Sequence, residues 1–157
     1  MKHKYTHNKD FQCKHCHYLV TADTQYSGVI NRNHCPYCLH SLHVDLYEAG
    51  DRLNACKAKM QPVGLTLKKL NKKYGKDQHG ELMLVHQCTE CGSLSINRIA
   101  ADDDAEAILA VFARSSNPSP EFLTACEQDG IHLLNPEDAR VVRARLFGWD
   151  DDATASG

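Results

Sequence analysis

The sequence predicts an α+β fold in which short antiparallel strands and cysteine-bearing turns come first and a short helical C-terminal region follows. Three observations carry this reading. Brief β-prone runs ("HYLV", "SLHVDLY", "ELMLVHQC") alternate with C-x2-C turns as far as residue 100, whereas the remainder shows helical periodicity with caps and terminators. Charge divides at the same place: residues 1–100 carry 14 Lys+Arg against 8 Asp+Glu, and residues 101–157 carry 4 against 12. Nine of the ten histidines and every cysteine except Cys126 also precede that boundary. The organisation expected is a cysteine-rich domain over 1–104 and an acidic helical region over 105–157.

In chain order, "HYLV" and "YSGVI" read as the strands of a hairpin with Gly28 at its bend, carrying two C-x2-C turns. In "SLHVDLY", Leu42, Val44 and Leu46 alternate with His43, Asp45 and Tyr47, so a half-buried strand places His43 and Asp45 on one face. Pro62 and Gly64 of "KMQPVGLTL" read as a turn, followed by a short helix or a basic loop. "ELMLVHQC" is a strand leading into a third cysteine turn. "DDDAEAILAVFARS" opens with carboxylates suited to a helix N-terminus and continues with Ile108, Leu109, Val111 and Phe112 on one stripe. Ser119, Pro120 and Gly130 supply a cap, a first turn and a terminator for the next helix, and Asn135 to Gly148 repeats that grammar. "DDDATASG" reads as a frayed end.

Four Phe and one Trp in 157 residues make a thin aromatic core, which calls for another source of stability. The longest apolar run is "AILAVFA", residues 107–113, too short for a secretory signal or a membrane span. The expectation is a cytoplasmic protein with no membrane association. In a reducing compartment its paired cysteines point to metal or redox chemistry, not to a disulfide frame.

Cys13, Cys16, Cys35 and Cys38 form C-x2-C-x18-C-x2-C, the spacing of a structural zinc ribbon. Iron in the same sulfur cage is the alternative metal. A thioredoxin-like pair would need a helix start within a βαβ pattern, which this region lacks. Cys88 and Cys91 form a third knuckle, with Gly92 leaving room for the bend, and need two more ligands. Cys56 is the natural third, and the fourth lies among His43 and His86, with His40 and His79 behind them. His43 is preferred, because Asp45 on the same strand face can orient its imidazole. The plainer alternative is that either histidine satisfies a buried backbone group, and a different pairing has the third knuckle serve the first site. Two zinc ions are expected, the first held more securely. Cys126, among apolar neighbours in a helix, reads as a small buried hydrophobe.

"RNHCPYCLHSLHVD", "GDRLNAC", "KMQPVG", "HQCTECG" and "NRIAADDD", in that order, resemble the bacterial RNHCP-domain family, named after the five residues Arg32 to Pro36. The resemblance runs from about Phe11 to Asp104; Asp104 stands where Asn is expected, and the region from 105 lies outside the pattern. It implies a zinc-ribbon-like domain with metal ligands at Cys13, Cys16, Cys35, Cys38, Cys56, Cys88 and Cys91, and it implies no particular reaction.

For function, the sequence favours a binding module over an enzyme. Between Arg52 and Lys76 lie Arg52, Lys57, Lys59, Lys68, Lys69, Lys72, Lys73 and Lys76, with Tyr74 among them and no Asp or Glu. Such a run is often just a solvated face, but beside zinc knuckles it is the footprint of phosphate contact, with RNA or a ribonucleoprotein as the expected partner. The acidic region could cover this surface or dock a protein partner, so a zinc-stabilised protein-interaction scaffold is the second reading. A hydrolytic zinc enzyme is third: it needs Cys56, Cys88 and Cys91 alone on the metal, His43 or His86 as base, and Asp51 and Arg52 on a substrate. "CPYC" echoes the deaminase P-C-x-x-C motif by chance, since Pro36 follows its first cysteine and no H-x-E precedes it.

Overall fold

The computed structural model describes residues 10–21, 25, 34–43, 56–68 and 80–148. The bend expected at Gly28, the carboxylates Asp45 and Asp51, and the C-terminal "DDDATASG" lie outside these residues.

The first hairpin closes around the first cysteine turn itself. β1 (Phe11–Gln12) pairs antiparallel with β2 (Leu19–Val20), Phe11 opposite Val20, so Cys13–Cys16 occupies the loop between them. A second, fully antiparallel sheet has the order β3-β4-β5-β6, with β3 at Ser41–Leu42, β4 at Lys59–Lys68, β5 at Glu81–Cys88 and β6 at Leu94–Arg98.

The turn expected at Pro62 and Gly64 is not there. β4 runs straight through both residues, and the ladder to β5 only shifts register between them. A bulge absorbs one extra residue without ending a strand. Proline is tolerated because β3 flanks β4 only at Lys59 and Met60, so among the described residues its missing N–H breaks no ladder bond on that side. The glycine has a packing reason: a Cβ at Gly64 would overlap the Cδ1 of Leu133. Without that Cβ, the segment around Leu133 lies against β4, where Thr66 bridges Leu133 and Leu134 donates to the Leu65 carbonyl at 2.9 Å.

The helical region follows its expected punctuation. Asp104 caps α1 (Ala105–Arg114) by accepting from the Glu106 N–H, and Ser119 caps α2 (Pro120–Gln128) by accepting from Phe122. Asn135 and Asp138 cap each other's backbone around a 3-10 turn, Pro136–Asp138, which leads into α3 (Ala139–Phe147). Gly148 ends α3 in the left-handed conformation.

Of these helices, α1 and α3 pack on one face of the sheet. Leu39, Leu65, Leu82 and Leu84 pack with Ile108, Val111, Leu134 and Val142 in one buried cluster, so the core spans the compositional boundary at residue 104. A separate small cluster of Cys13, Val20 and Cys35 is flanked by Phe11, Cys16 and Cys38. Leu39 follows Cys38 directly, so the second cysteine turn joins the two clusters. Among the described residues no helix is long and apolar enough to cross a membrane.

Candidate metal centres

All three C-x2-C turns share one backbone solution. The N–H of the first cysteine donates to the carbonyl five residues on: Cys13 to Tyr18 at 2.8 Å, Cys35 to His40 at 3.0 Å, Cys88 to Ser93 at 2.9 Å. Its carbonyl accepts from the residue four on, which is His17, Leu39 or Gly92. That fourth residue has positive φ, at 69°, 65° and 76° respectively. Only Gly92 adopts this conformation without a Cβ penalty, which is the room its position in "CTECG" supplies. Leu39 carries the strain while placing its side chain, fully buried, in the main core.

The knuckle geometry also aims amides at sulfur. His15 and Cys16 donate to Cys13 Sγ at 3.3 and 3.4 Å, Tyr37 to Cys35 Sγ at 3.4 Å, and Cys91 to Cys88 Sγ at 3.5 Å. Burial works against ionising Cys13, but the Cys16 and His15 amides, together with the Cys38 and Cys16 thiols, outweigh it and bring the thiol down to about 7. Burial pushes the thiols of Cys35 and Cys38 up.

In the first centre the two knuckles face each other, with Cys13 Sγ 3.5 Å from Cys38 Sγ and Cys16 Sγ 3.6 Å from Cys35 Sγ. Zinc–sulfur bonds of about 2.3 Å in a tetrahedron require sulfur–sulfur edges of roughly 3.8 Å, so the donor cage fits the ion with little adjustment. The knuckles are related by an approximate twofold. His15, two residues after Cys13, stacks on His40, five after Cys35, at 3.6 Å between ring centroids; Tyr18, five after Cys13, meets Tyr37, two after Cys35, at 4.9 Å.

The second centre gathers His43, Cys56, Cys88 and Cys91, whose ligand atoms all lie within 4.8 Å of one another. Cys56 Sγ is 3.7 Å from Cys88 Sγ, and Cys91 Sγ is 3.4 Å from His43 Nδ1. A tetrahedron with one zinc–nitrogen bond of about 2.0 Å calls for a sulfur–nitrogen edge of roughly 3.5 Å. Extended pairing just beyond β3 positions the histidine, through His43 N–H to the Ala58 carbonyl at 2.8 Å and Lys57 N–H to the His43 carbonyl at 2.9 Å. Cys88 is buried, whereas Cys56 and Cys91 are exposed. The Ser93 hydroxyl, 3.2 Å from Cys91 Sγ, and the Ser93 backbone bring that thiol down to about 6. The third knuckle thus sits with Cys56 and His43, not with the first centre.

His86, the other candidate for the fourth ligand, is used elsewhere. It is fully buried, donating from Nε2 to the Leu39 carbonyl at 2.6 Å and accepting at Nδ1 from the Asn97 amide at 2.9 Å. Burial, with His34 nearby, lowers its pKa to about 3, so it stays neutral. His40 belongs to the ring stack, and His79 lies outside the described residues. We expect His43→Ala to hold one metal per chain and His86→Ala to keep two at reduced stability; metal analysis after desalting checks both, and the reverse pattern would move the ligand to His86.

One pairing has no signal in local spacing. His34, in "RNHCP", places Nε2 2.7 Å from Asp103 Oδ2, in "NRIAADDD", with both side chains buried. The same carboxylate oxygen accepts the Ala100 N–H at 2.8 Å, and Asp104 N–H donates to the Pro36 carbonyl at 2.8 Å. Two separate sequence motifs therefore meet as one clamp that ties the second knuckle to the start of α1.

Of the basic stretch, Lys57, Lys59 and Lys68 are exposed, and Arg52, Lys69, Lys72, Lys73 and Lys76 lie outside the described residues. Cys126 is buried in α2, as expected of a small hydrophobe, and burial raises its pKa.

Two sulfur-rich cages of four donors each, on antiparallel strands backed by α1 and α3, define a small protein organised around two metal centres. Residues 8–109 match the model of the RNHCP domain, about two thirds of the chain, and the protein belongs to the RNHCP domain family. The match takes in the clamp and the first half of α1. No curated protein and no solved structure matches the chain.

Proposed function

We propose that the protein is a zinc-binding module that binds RNA or a ribonucleoprotein through the basic 52–76 stretch. The observation that carries the RNA reading is eight cationic side chains without one carboxylate over that stretch. Lys57 and Lys59 adjoin the second centre and Lys68 stands at the far end of β4, all exposed. Zinc is the ion that suits both cages, since it accepts three or four thiolates with no geometric demand of its own. Near the first centre Tyr18 and Tyr37 are 61% and 55% exposed, an aromatic pair on which unpaired bases can stack.

Four donors at the second centre close its tetrahedron and leave no position for a metal-bound water, and His86 has no free nitrogen to act as base. Both points weigh against the hydrolytic reading. A protein-interaction scaffold has one observation in its favour: Leu123 on α2 and Phe147 at the end of α3 are 40% and 42% exposed.

The deciding measurement is affinity for single-stranded RNA as a function of salt. Binding should weaken steeply with ionic strength, because each neutralised phosphate releases counterions. Replacing Lys68, Lys69, Lys72 and Lys73 by Gln should flatten that slope with metal content unchanged. An intact protein that shows no affinity at low salt would leave the scaffold reading in its place.

A further inference from the structure

The two centres use similar donors but differ in cover. At the first, Cys13 and Cys35 are buried, and the His15–His40 and Tyr18–Tyr37 pairs bracket the knuckles. At the second, the positions two and five residues after the first knuckle cysteine are Glu90 and Ser93, so the knuckle itself brings no ring over the sulfurs. Cys56 and Cys91 are exposed there, and Cys56 Sγ lies 3.7 Å from the buried Cys88 Sγ.

We propose that Cys56 and Cys88 form a hydroperoxide-oxidisable pair whose disulfide discharges the second metal while the first stays bound. Thiolates remain nucleophiles, and exposure governs which of them meets an oxidant. The Cys56 thiolate attacks one oxygen of hydrogen peroxide; the O–O bond breaks, and hydroxide leaves and is protonated to water. The resulting sulfenic acid faces Cys88, whose thiolate attacks its sulfur, forms the S–S bond and expels a second hydroxide, which also becomes water. Two thiolates, one peroxide and two protons give one disulfide and two waters, the thiolates losing the two electrons that the peroxide gains. The metal is left with Cys91 and His43, half of its tetrahedron, and dissociates. Cys56 and Cys88 are 32 residues apart, so the new bond also cross-links β5 to the segment entering β4.

The experiment treats the two-zinc protein with hydrogen peroxide, follows released zinc with a chromogenic chelator, and maps disulfides after acid quenching. The expected result is release of one zinc per chain in step with a Cys56–Cys88 disulfide, both reversed by a phosphine reductant and added zinc. Release of both ions together, release of neither while thiols are consumed, or a disulfide confined to another pair overturns the proposal. So does a protein that holds a single zinc at saturation. Cys56→Ser should retain only the first zinc and release none under the same peroxide, and loss of that ion would show that the first centre is not protected.

Discussion

Cys35→Ser should lose one equivalent of metal and, with it, the folded state of the domain. Cys35 is fully buried, and its sulfur sits 3.6 Å from Cys16 across the first cage. A serine hydroxyl there is a poor zinc ligand and a buried polar group. The consequences extend beyond the cage, because the same knuckle delivers Leu39 to the main core, the Leu39 carbonyl to His86 and the Pro36 carbonyl to Asp104. Structural zinc in small modules contributes about 10–16 kcal/mol at neutral pH. That matches or exceeds the roughly 5–15 kcal/mol by which whole domains are stable, so a core with this little aromatic mass does not survive the loss. Metal analysis and far-ultraviolet circular dichroism on the purified variant test it; a folded Cys35→Ser protein with two metals would sink the four-thiolate assignment.

The cages were legible in the sequence because a C-x2-C turn is local: four residues fix both sulfurs, and spacing announces the site. Choosing His43 over His86 rested on less. His86 shares a strand face with Cys88 as His43 does with Asp45, and period-two alternation cannot separate them. What separates them is tertiary, since Asn97 on β6 and Leu39 on the second knuckle occupy both nitrogens of His86. The bulge in β4 was hidden for a related reason. Proline and glycine two apart signal a turn in any local reading, and only the open flank of β4 and the approach of Leu133 make them compatible with a strand. Helix caps were readable at Ser119 and Asn135 because capping is satisfied within three residues. His34 and Asp103 are 69 residues apart, so nothing short of the fold brings them together.

That clamp supports the other large expected effect. Asp103→Ala should destabilise the two-metal protein by about 3–5 kcal/mol, the range for removing one partner of a buried ion pair and about what two buried donors left unsatisfied would cost together. One carboxylate oxygen serves both the His34 ring and the Ala100 amide, and alanine strands both donors away from water. The turn from Ala100 to Asp104 would loosen with it, weakening the Asp104 cap on α1 and the Asp104 bond to the second knuckle. Asp103→Asn separates hydrogen bonding from charge. Its single amide oxygen can accept from both donors in nearly the same place, so the residual loss in the asparagine variant measures the ionic part of the contact. The midpoint of denaturant unfolding at saturating zinc provides the measurement, with metal content followed in parallel. An alanine variant as stable as the parent would show that His34 and Ala100 find other partners and that the two motifs meet without depending on each other.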